Sequence, residues 1–244
     1  VDFKDSYISL SEALRHAGFK NKKNVEIAYV ESEDIQKNGT DCLSKMDAIL
    51  IPGGFGDRGI EGMIQSIEYA RKNSIPFLGI CLGMQAAVIE YARNVLGHND
   101  ANSTEFNQDT SSPVIAMITE WMNEDGSTEN RDETSELGGT MRLGAQECLL
   151  KEGTKAKKIY DAESVIERHR HRYEFNNTYL EELQKDGLIF SGFSKDGLAE
   201  MIEIDDHPWF IACQFHPEFT SSPLRGHPLF QSFIKAAVEY SKKN

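Results

Sequence analysis

The pentapeptide Gly79-Ile80-Cys81-Leu82-Gly83 follows a short apolar run and precedes a segment with helical character. This pattern is typical of a nucleophile elbow in which a thiol replaces the usual hydroxyl. The turn from strand to helix is sharp, so the two flanking positions have room only for glycine. The turn also places the sulfur of Cys81 at a helix N-terminus, where the positive end of the helix dipole favours the thiolate. We therefore predict that Cys81 is a nucleophile.

A nucleophilic thiol needs a base and a group that orients the base. The sequence His216-Pro217-Glu218 follows an apolar run and supplies an imidazole and a carboxylate two residues apart. In extended backbone these two side chains lie on the same side, and the proline biases His216 towards that geometry. We expect Glu218 to orient His216, which then accepts the proton of Cys81.

The glycine-rich turn at residues 52–56 follows another buried apolar run. It lacks the following Gly-Lys-Ser/Thr of a phosphate-binding loop. One interpretation is an oxyanion hole, in which the amides of Gly54 and Leu82 bind a developing negative oxygen. The other interpretation is an ordinary tight turn, and the residues alone do not decide between them.

These residues need a scaffold in which several strands end at one edge. Short apolar runs alternate with helical patterns along the first 96 residues, which predicts parallel strands covered by helices. The predicted strands are residues 25–30, 48–51, 76–80, 188–193, 198–204 and 209–215. The predicted helices begin at residues 5–6, 60, 82 and 229. We predict an α/β fold, with a mostly parallel twisted sheet flanked by helices on both faces and a small antiparallel portion.

Composition excludes several classes of protein. The chain has 244 residues, 39% of them hydrophobic, and a formal net charge of −13. It therefore has enough apolar residues for a core, and its acidity argues against nucleic acid as a partner, despite the arginines at residues 168–172. No apolar run is long enough to span a membrane. The four cysteines have no zinc-site spacing, so we predict a soluble, cytoplasmic protein without a bound metal.

Two features suggest a piece of a longer protein with a mobile segment. The chain begins Val1-Asp2 and enters a helix with no preceding strand, so we expect that a first strand and further sequence precede it. Residues 119–140 are polar and rich in glycine. This stretch is either a solvated loop or a lid that includes Arg131.

In this order and on this strand pattern, the three motifs resemble those of the triad (class I) glutamine amidotransferases. Over nearly the whole chain the match extends to the glutaminase domain of the CTP synthases. The segments that carry this resemblance are residues 79–85, 102–106, 137–144, 167–174 and 213–219.

The resemblance implies roles for individual residues. Cys81, His216 and Glu218 would form the catalytic triad, and the amides of Gly54 and Leu82 the oxyanion hole. Further contacts to bound glutamine would come from Phe55, Gln85, Glu105 and Arg172. An acidic residue such as Glu105 suits the α-ammonium of glutamine, and the guanidinium of Arg172 suits the α-carboxylate.

The resemblance also implies a larger enzyme. Residues 1–244 would form one glutaminase domain that follows an amidoligase domain, which this sequence lacks. That domain would use ATP and Mg²⁺ to aminate UTP to CTP in pyrimidine nucleotide synthesis. GTP would promote the glutaminase step, which itself needs no cofactor, and the intact enzyme would be a homotetramer.

Two other functions remain open from the sequence. A stand-alone γ-glutamyl hydrolase would use the same triad but would not carry the signature at residues 137–144. A catalytically silent regulatory module would have lost the thiol, imidazole or carboxylate, and all three are present. A PfpI-like peptidase usually has histidine directly after the cysteine, where this chain has Leu82. An α/β-hydrolase has its acid before its histidine.

Overall fold

The computed structural model describes residues 4–117 and 141–243. The predicted lid at residues 119–140, with Arg131, lies outside the described residues. The helices are α1 (Ile8–Asn21), α2 (Ser32–Asn38), α3 (Ile60–Lys72), α4 (Leu82–Asn94), α5 (Lys155–Tyr160), α6 (Leu180–Lys185) and α7 (Pro228–Ser241). The strands are β1 (Ile49–Ile51), β2 (Phe77–Ile80), β3 (Asn102–Ser103), β4 (Pro113–Met117), β5 (Arg142–Leu150), β6 (Ser164–His171), β7 (Tyr173–Phe175), β8 (Leu188–Ser194), β9 (Ala199–Ile204) and β10 (Phe210–Cys213).

Seven strands form one sheet in the order β1-β2-β10-β9-β8-β5-β6. Strand β2 pairs in parallel with both β1 and β10, while the remaining neighbours pair antiparallel. Strands β3, β4 and β7 form a second, smaller sheet. The predicted α/β fold is confirmed, with an antiparallel portion that extends through β9, β8, β5 and β6. The three parallel strands end at the same edge of the sheet.

The central strands are buried on both faces because helices cover each side. Successive side chains of a strand point to opposite faces, so Phe77 and Phe210 enter one core and Leu78 and Ile211 the other. The first core includes residues of α3 and α4, and the second includes residues of α1 and α7. The rings of Phe77 and Phe210 stack at 4.4 Å between centroids. Burying such a side chain stabilises a fold by about 1.5–3 kcal/mol.

The strand predicted at residues 25–30 is wrong. Val25 and Ile27 are half-buried and Glu26 is exposed, as the alternating pattern predicts. The structure assigns no strand there, however. Alternation indicates which side chains face the protein, and it does not by itself establish a strand.

Across the described ranges, we find no helix that combines the length and apolar character required to cross a membrane.

Candidate active site

Cys81 occupies the sharp turn between β2 and α4. Its backbone lies at φ 52° and ψ −103°, a conformation that costs free energy for a non-glycine residue. A Cβ atom at Gly79 would lie 2.7 Å from the carbonyl oxygen of Gly83, and one at Gly83 would lie 2.3 Å from that of Ile51. The predicted need for glycine on both sides of Cys81 is therefore confirmed.

The surroundings of the four thiols distinguish Cys81 from the others. Burial raises the pKa of Cys148 and Cys213, so both stay protonated and inert in the core. Cys42 is exposed and lies outside the site. Cys81 is also buried, but it lies at the helix N-terminus and contacts His216, whose imidazole it stabilises in the charged form.

The sheet topology brings His216 and Glu218 to this turn. Because β10 is parallel to β2 and adjacent to it, the residues after β10 lie beside the residue after β2. The amide of Cys81 donates to the carbonyl of Cys213 at 2.7 Å, and the amide of His216 donates to the carbonyl of Arg168 on β6 at 2.8 Å.

The predicted contact between His216 and Glu218 is confirmed. Nδ1 of His216 lies 2.8 Å from Oε1 of Glu218. The backbone route differs from the prediction, since Pro217–Thr220 forms a 3₁₀ turn rather than extended chain. This turn carries the carboxylate back towards the ring, which the spacing of two residues alone did not reveal.

The charge state of His216 follows from its neighbours. Burial lowers the pKa of this imidazole, but Cys81 and Glu218 together outweigh burial and raise the pKa to about 10. Nδ1 is engaged by Glu218, which leaves Nε2 for the sulfur. This buried Nε2 makes no regular hydrogen bond to another described residue, so it is available for proton transfer. Beside the sulfur of Cys81, the site therefore favours the charged imidazolium form of His216.

Gly53 was not predicted from the sequence, yet it contacts both reactive side chains. A Cβ atom at this position would lie 2.7 Å from Cε1 of His216 and 3.4 Å from Cβ of Cys81. The absence of a side chain at Gly53 therefore allows the end of β1 to pack against the cysteine and the histidine.

We expect Gly53→Ala to displace the ring of His216 and to lower kcat for a reaction that uses Cys81 as nucleophile by about 10- to 100-fold, since misplacement of a base by about 1 Å has effects of this size. The control is Ala212→Gly on neighbouring β10, which also alters packing at a buried position. Gly97→Ala would not serve as a control, because Gly97 has positive φ and alanine there would be strained. Steady-state kinetics alongside circular dichroism would separate misplacement from unfolding. Parental kcat in folded Gly53→Ala would contradict this role.

Gly54 and Leu82 lie next to each other, as an oxyanion hole requires. A Cβ atom at Gly54 would be 3.1 Å from Cδ2 of Leu82. Leu82 begins α4, so its amide has no intrahelical acceptor. The arrangement is consistent with two amides near Cys81, and their role as oxyanion donors stays a prediction.

Gln85 lies one turn beyond Cys81, as predicted, but its amide nitrogen is already engaged. Nε2 of Gln85 donates to the carbonyl of Tyr173 at 2.8 Å and to Oε1 of Gln214 at 3.2 Å. Gln214 in turn donates to the sulfur of Cys81 at 3.6 Å. Gln214 was missed in the sequence, although its position two residues before His216 places it on the same side of an extended chain.

Two of the other predicted glutamine contacts, Phe55 and Glu105, lie at the glycine-rich turn. Oε1 of Glu105 accepts a hydrogen bond from the amide of Gly56 at 3.0 Å. The side chain of Phe55 is 61% exposed, and Cζ of Arg170 lies 5.7 Å from its ring centre. Arg172 is half-buried and forms no ion pair within residues 4–117 and 141–243. The structure thus places Glu105 and Phe55 at the turn, while their contacts to glutamine stay predictions.

A buried polar cluster connects the two sheets. Nη1 of Arg142 lies 3.0 Å from Glu174 on β7 and 2.7 Å from Glu200 on β9. Nδ1 of His169 lies 2.9 Å from Nε2 of His171. Burial raises the pKa of Glu174 to about 7, despite the opposing effect of Arg142. Along β6 the histidines are buried and the arginines exposed, because successive side chains of a strand point to opposite faces.

His169 should make the fold sensitive to acid. Burial, followed by the charges of Arg142 and His216, lowers its pKa to about 3. Its neutral form therefore stabilises the fold fully above about pH 6.5, and this contribution is lost as the pH falls towards 3. We expect the free energy of unfolding to fall with decreasing pH more steeply in the parent than in His169→Gln, by up to about 1.4 kcal/mol per pH unit.

Urea titrations at pH 7.5, 6 and 5 would measure this difference. Glu174, whose pKa is raised, contributes to the pH dependence of the free energy of unfolding with the opposite sign. This contribution is present in both proteins and largely cancels in the comparison. Parallel pH profiles for the two proteins would contradict the assignment of a neutral, buried His169.

Comparison with known proteins identifies the family of this chain. A model of the class-I glutamine amidotransferase family matches residues 2–236. The glutaminase domain of CTPS from Trypanosoma brucei, solved with bound acivicin, is 36% identical in sequence with a TM-score of 0.87. That alignment covers 98% of this chain and 90% of the other.

A second solved structure shows the fold alone. A putative GMP synthase subunit from Thermoplasma acidophilum is 15% identical, with a TM-score of 0.58 over 96% of this chain and 90% of the other. The family match spans nearly the whole sequence. This chain belongs to the class I glutamine amidotransferase family.

Proposed function

We propose that this chain is a glutaminase that releases ammonia from glutamine through Cys81, His216 and Glu218. One observation carries the proposal. The hydrogen-bonded pair of His216 and Glu218 lies beside a strained cysteine at the carboxyl end of the parallel strands, where open α/β sheets bind ligands.

The reaction would begin with attack of the Cys81 thiolate on the γ-carboxamide carbon. The amides of Gly54 and Leu82 would bind the oxyanion, each such donor being worth about 3 kcal/mol in comparable sites. His216 would then give its proton to the amide nitrogen, so that the carbon–nitrogen bond breaks and ammonia leaves. The remaining γ-glutamyl thioester would be attacked by water, which loses a proton to His216. The carbon–sulfur bond then breaks, which releases glutamate and restores the Cys81 thiolate and protonated His216.

Substrate binding would use the groups around the glycine-rich turn. Glu105 has one oxygen engaged by Gly56, which leaves the other for the α-ammonium. Arg172 would bind the α-carboxylate in a bidentate manner. Because the nitrogen of Gln85 is already engaged, its carbonyl oxygen is the atom that would face the amide of glutamine. Phe55 would cover the bound molecule.

We further propose that the ammonia serves an amidoligase domain joined N-terminal to this one, as the similarity to a CTPS glutaminase domain suggests. That domain would use ATP and Mg²⁺ to convert UTP to CTP, with GTP as activator and a homotetrameric, cytoplasmic assembly. We assign no residue of this chain to ATP or Mg²⁺.

Two assays test the proposal. The chain incubated with L-glutamine should release glutamate and ammonia in equal amounts, whereas a γ-glutamyl anilide should be cleaved poorly. The reverse preference would favour a γ-glutamyl hydrolase, and turnover of neither substrate would favour a silent module. In the polypeptide joined to the amidoligase domain, Cys81→Ala should form CTP from UTP with free ammonia but not with glutamine.

A further inference from the structure

Glu167 is a buried carboxylate outside the predicted triad. It lies on β6, where its side chain is 3% exposed, and it accepts three hydrogen bonds from separate elements. Tyr160 at the end of α5 donates at 3.0 Å, and His227 donates at 2.7 Å. Thr220, the last residue of the turn that carries Glu218, donates at 3.2 Å. Glu167 therefore connects three segments of the chain.

The direction of the hydrogen bond from His227 follows from its other contact. Nδ1 of His227 accepts a hydrogen bond from the amide of Leu229 at 3.2 Å, where it caps α7. Nε2 must then carry the proton and donate it to Glu167. No lysine or arginine in the described ranges forms an ion pair with Glu167. The carboxylate is thus held by hydrogen bonds from neutral groups, and each donor is fixed in turn.

Strand β6 holds both ends of the segment from His216 to Thr220. The carbonyl of Arg168 accepts from the amide of His216 at 2.8 Å, and the neighbouring Glu167 side chain accepts from Thr220. Thr220 shares its single hydroxyl proton with the carbonyl of Pro217 at 3.1 Å. The turn is therefore closed internally and attached to β6 at both ends, through the amide of His216 and through the hydroxyl of Thr220.

The residue inside this turn has little other support. Glu218 contacts His216 through Oε1, while its buried Oε2 has no hydrogen-bond partner among the residues the structure describes. The adjacent Phe219 is 52% exposed. The direction of the carboxylate therefore depends on where the turn is held.

We infer that Glu167 is a positioning residue that, through the hydroxyl of Thr220, holds Glu218 in line with His216. The inference deepens the proposed function because it concerns the same triad. It makes a prediction about the sulfur and imidazole that does not require glutamine to be the substrate.

The test compares Thr220→Val, which removes the hydroxyl at similar size, with Thr220→Ser, which keeps it. The first readout is the rate at which iodoacetamide alkylates Cys81, measured from pH 5 to 9 by peptide mass spectrometry. Cys42 is exposed and outside the site, so its alkylation in the same sample is an internal reference. The second readout is kcat and KM for glutamine.

In Thr220→Val we expect iodoacetamide to alkylate Cys81 about tenfold more slowly near pH 6, because a loosely held Glu218 stabilises the imidazolium of His216 less. The pH profile should move upward by about one unit. kcat should fall by about tenfold with little change in KM, and Thr220→Ser should resemble the parent. Glu167→Ala should show the same shift of the pH profile with a larger loss of stability. If Glu167→Ala does not fold, the result for Thr220→Val decides.

A double variant checks that the effect passes through Glu218. In the Glu218→Gln background, Thr220→Val should cause no further shift in the alkylation profile. The inference is wrong if Thr220→Val lowers the melting temperature without moving the profile, or if the two substitutions act additively. If the profile moves as expected but the parent does not hydrolyse glutamine, the proposed function fails and the positioning role stands.

Discussion

Cys81→Ala is expected to lower kcat for glutamine hydrolysis by at least about 10⁴-fold, because removal of the nucleophile from a catalytic triad leaves only the contributions of binding and the oxyanion hole. The fold should survive, since the sulfur is small and its backbone conformation is held by the glycines on either side. The measurement is single-turnover release of glutamate from glutamine.

The matched controls are the other thiols. Cys42→Ala removes an exposed thiol and should keep parental activity. Cys148→Ala removes a fully buried one and should lower stability while kcat stays within about threefold. A folded Cys81→Ala protein with near-parental turnover would show that another group attacks the substrate.

Glu218→Gln is expected to lower kcat by about 10³- to 10⁴-fold, by analogy with the loss of the orienting acid in a serine triad. The amide cannot stabilise the imidazolium, and it can present its NH₂ group to Nδ1. Because Glu218 contributes to the raised pKa of His216, its loss should also lower that pKa from about 10. The alkaline limb of the kcat profile should therefore move to lower pH.

The free energy of unfolding should also depend on pH through His216. The raised pKa of His216 stabilises the fold fully below about pH 6.5, and this contribution is lost as the pH rises through about 10. Glu218→Gln should flatten that alkaline decline in the free energy of unfolding, whereas exposed Glu239→Gln should not. An unchanged alkaline limb together with near-parental kcat would remove Glu218 from the proposed triad.

The features that were predictable from the sequence are mainly local. The flanking glycines of Cys81 reveal the sharp turn because a Cβ atom there would collide with backbone, at Gly79 with Gly83 and at Gly83 with Ile51 on β1. Short apolar runs between turns predict the parallel strands, since both faces of such strands are buried. Together these two facts place Cys81 at an edge where other strand ends meet.

The features that were missed depend on contacts between distant residues. Gly53 matters because His216 packs against it, and Gln214 because it meets both Gln85 and Cys81. The contact of Gly53 has no signature in local spacing, whereas for Gln214 the only local signal is its position two residues before His216. Residues 25–30 show the opposite limit, because their pattern is correct for a strand while the structure assigns no strand to them. The 3₁₀ turn after His216 was likewise unpredicted, although the contact it makes was expected.

The central claim is that Cys81 attacks the side-chain amide position of glutamine. A diazo-ketone analogue of glutamine places an electrophile at that position, and peptide mass spectrometry identifies the residue that it alkylates. We predict one adduct per chain, on Cys81, formed more slowly when glutamine is present and absent from Cys42. Alkylation at another residue, no alkylation of a folded sample, or a rate on Cys81 that glutamine does not change would contradict the account.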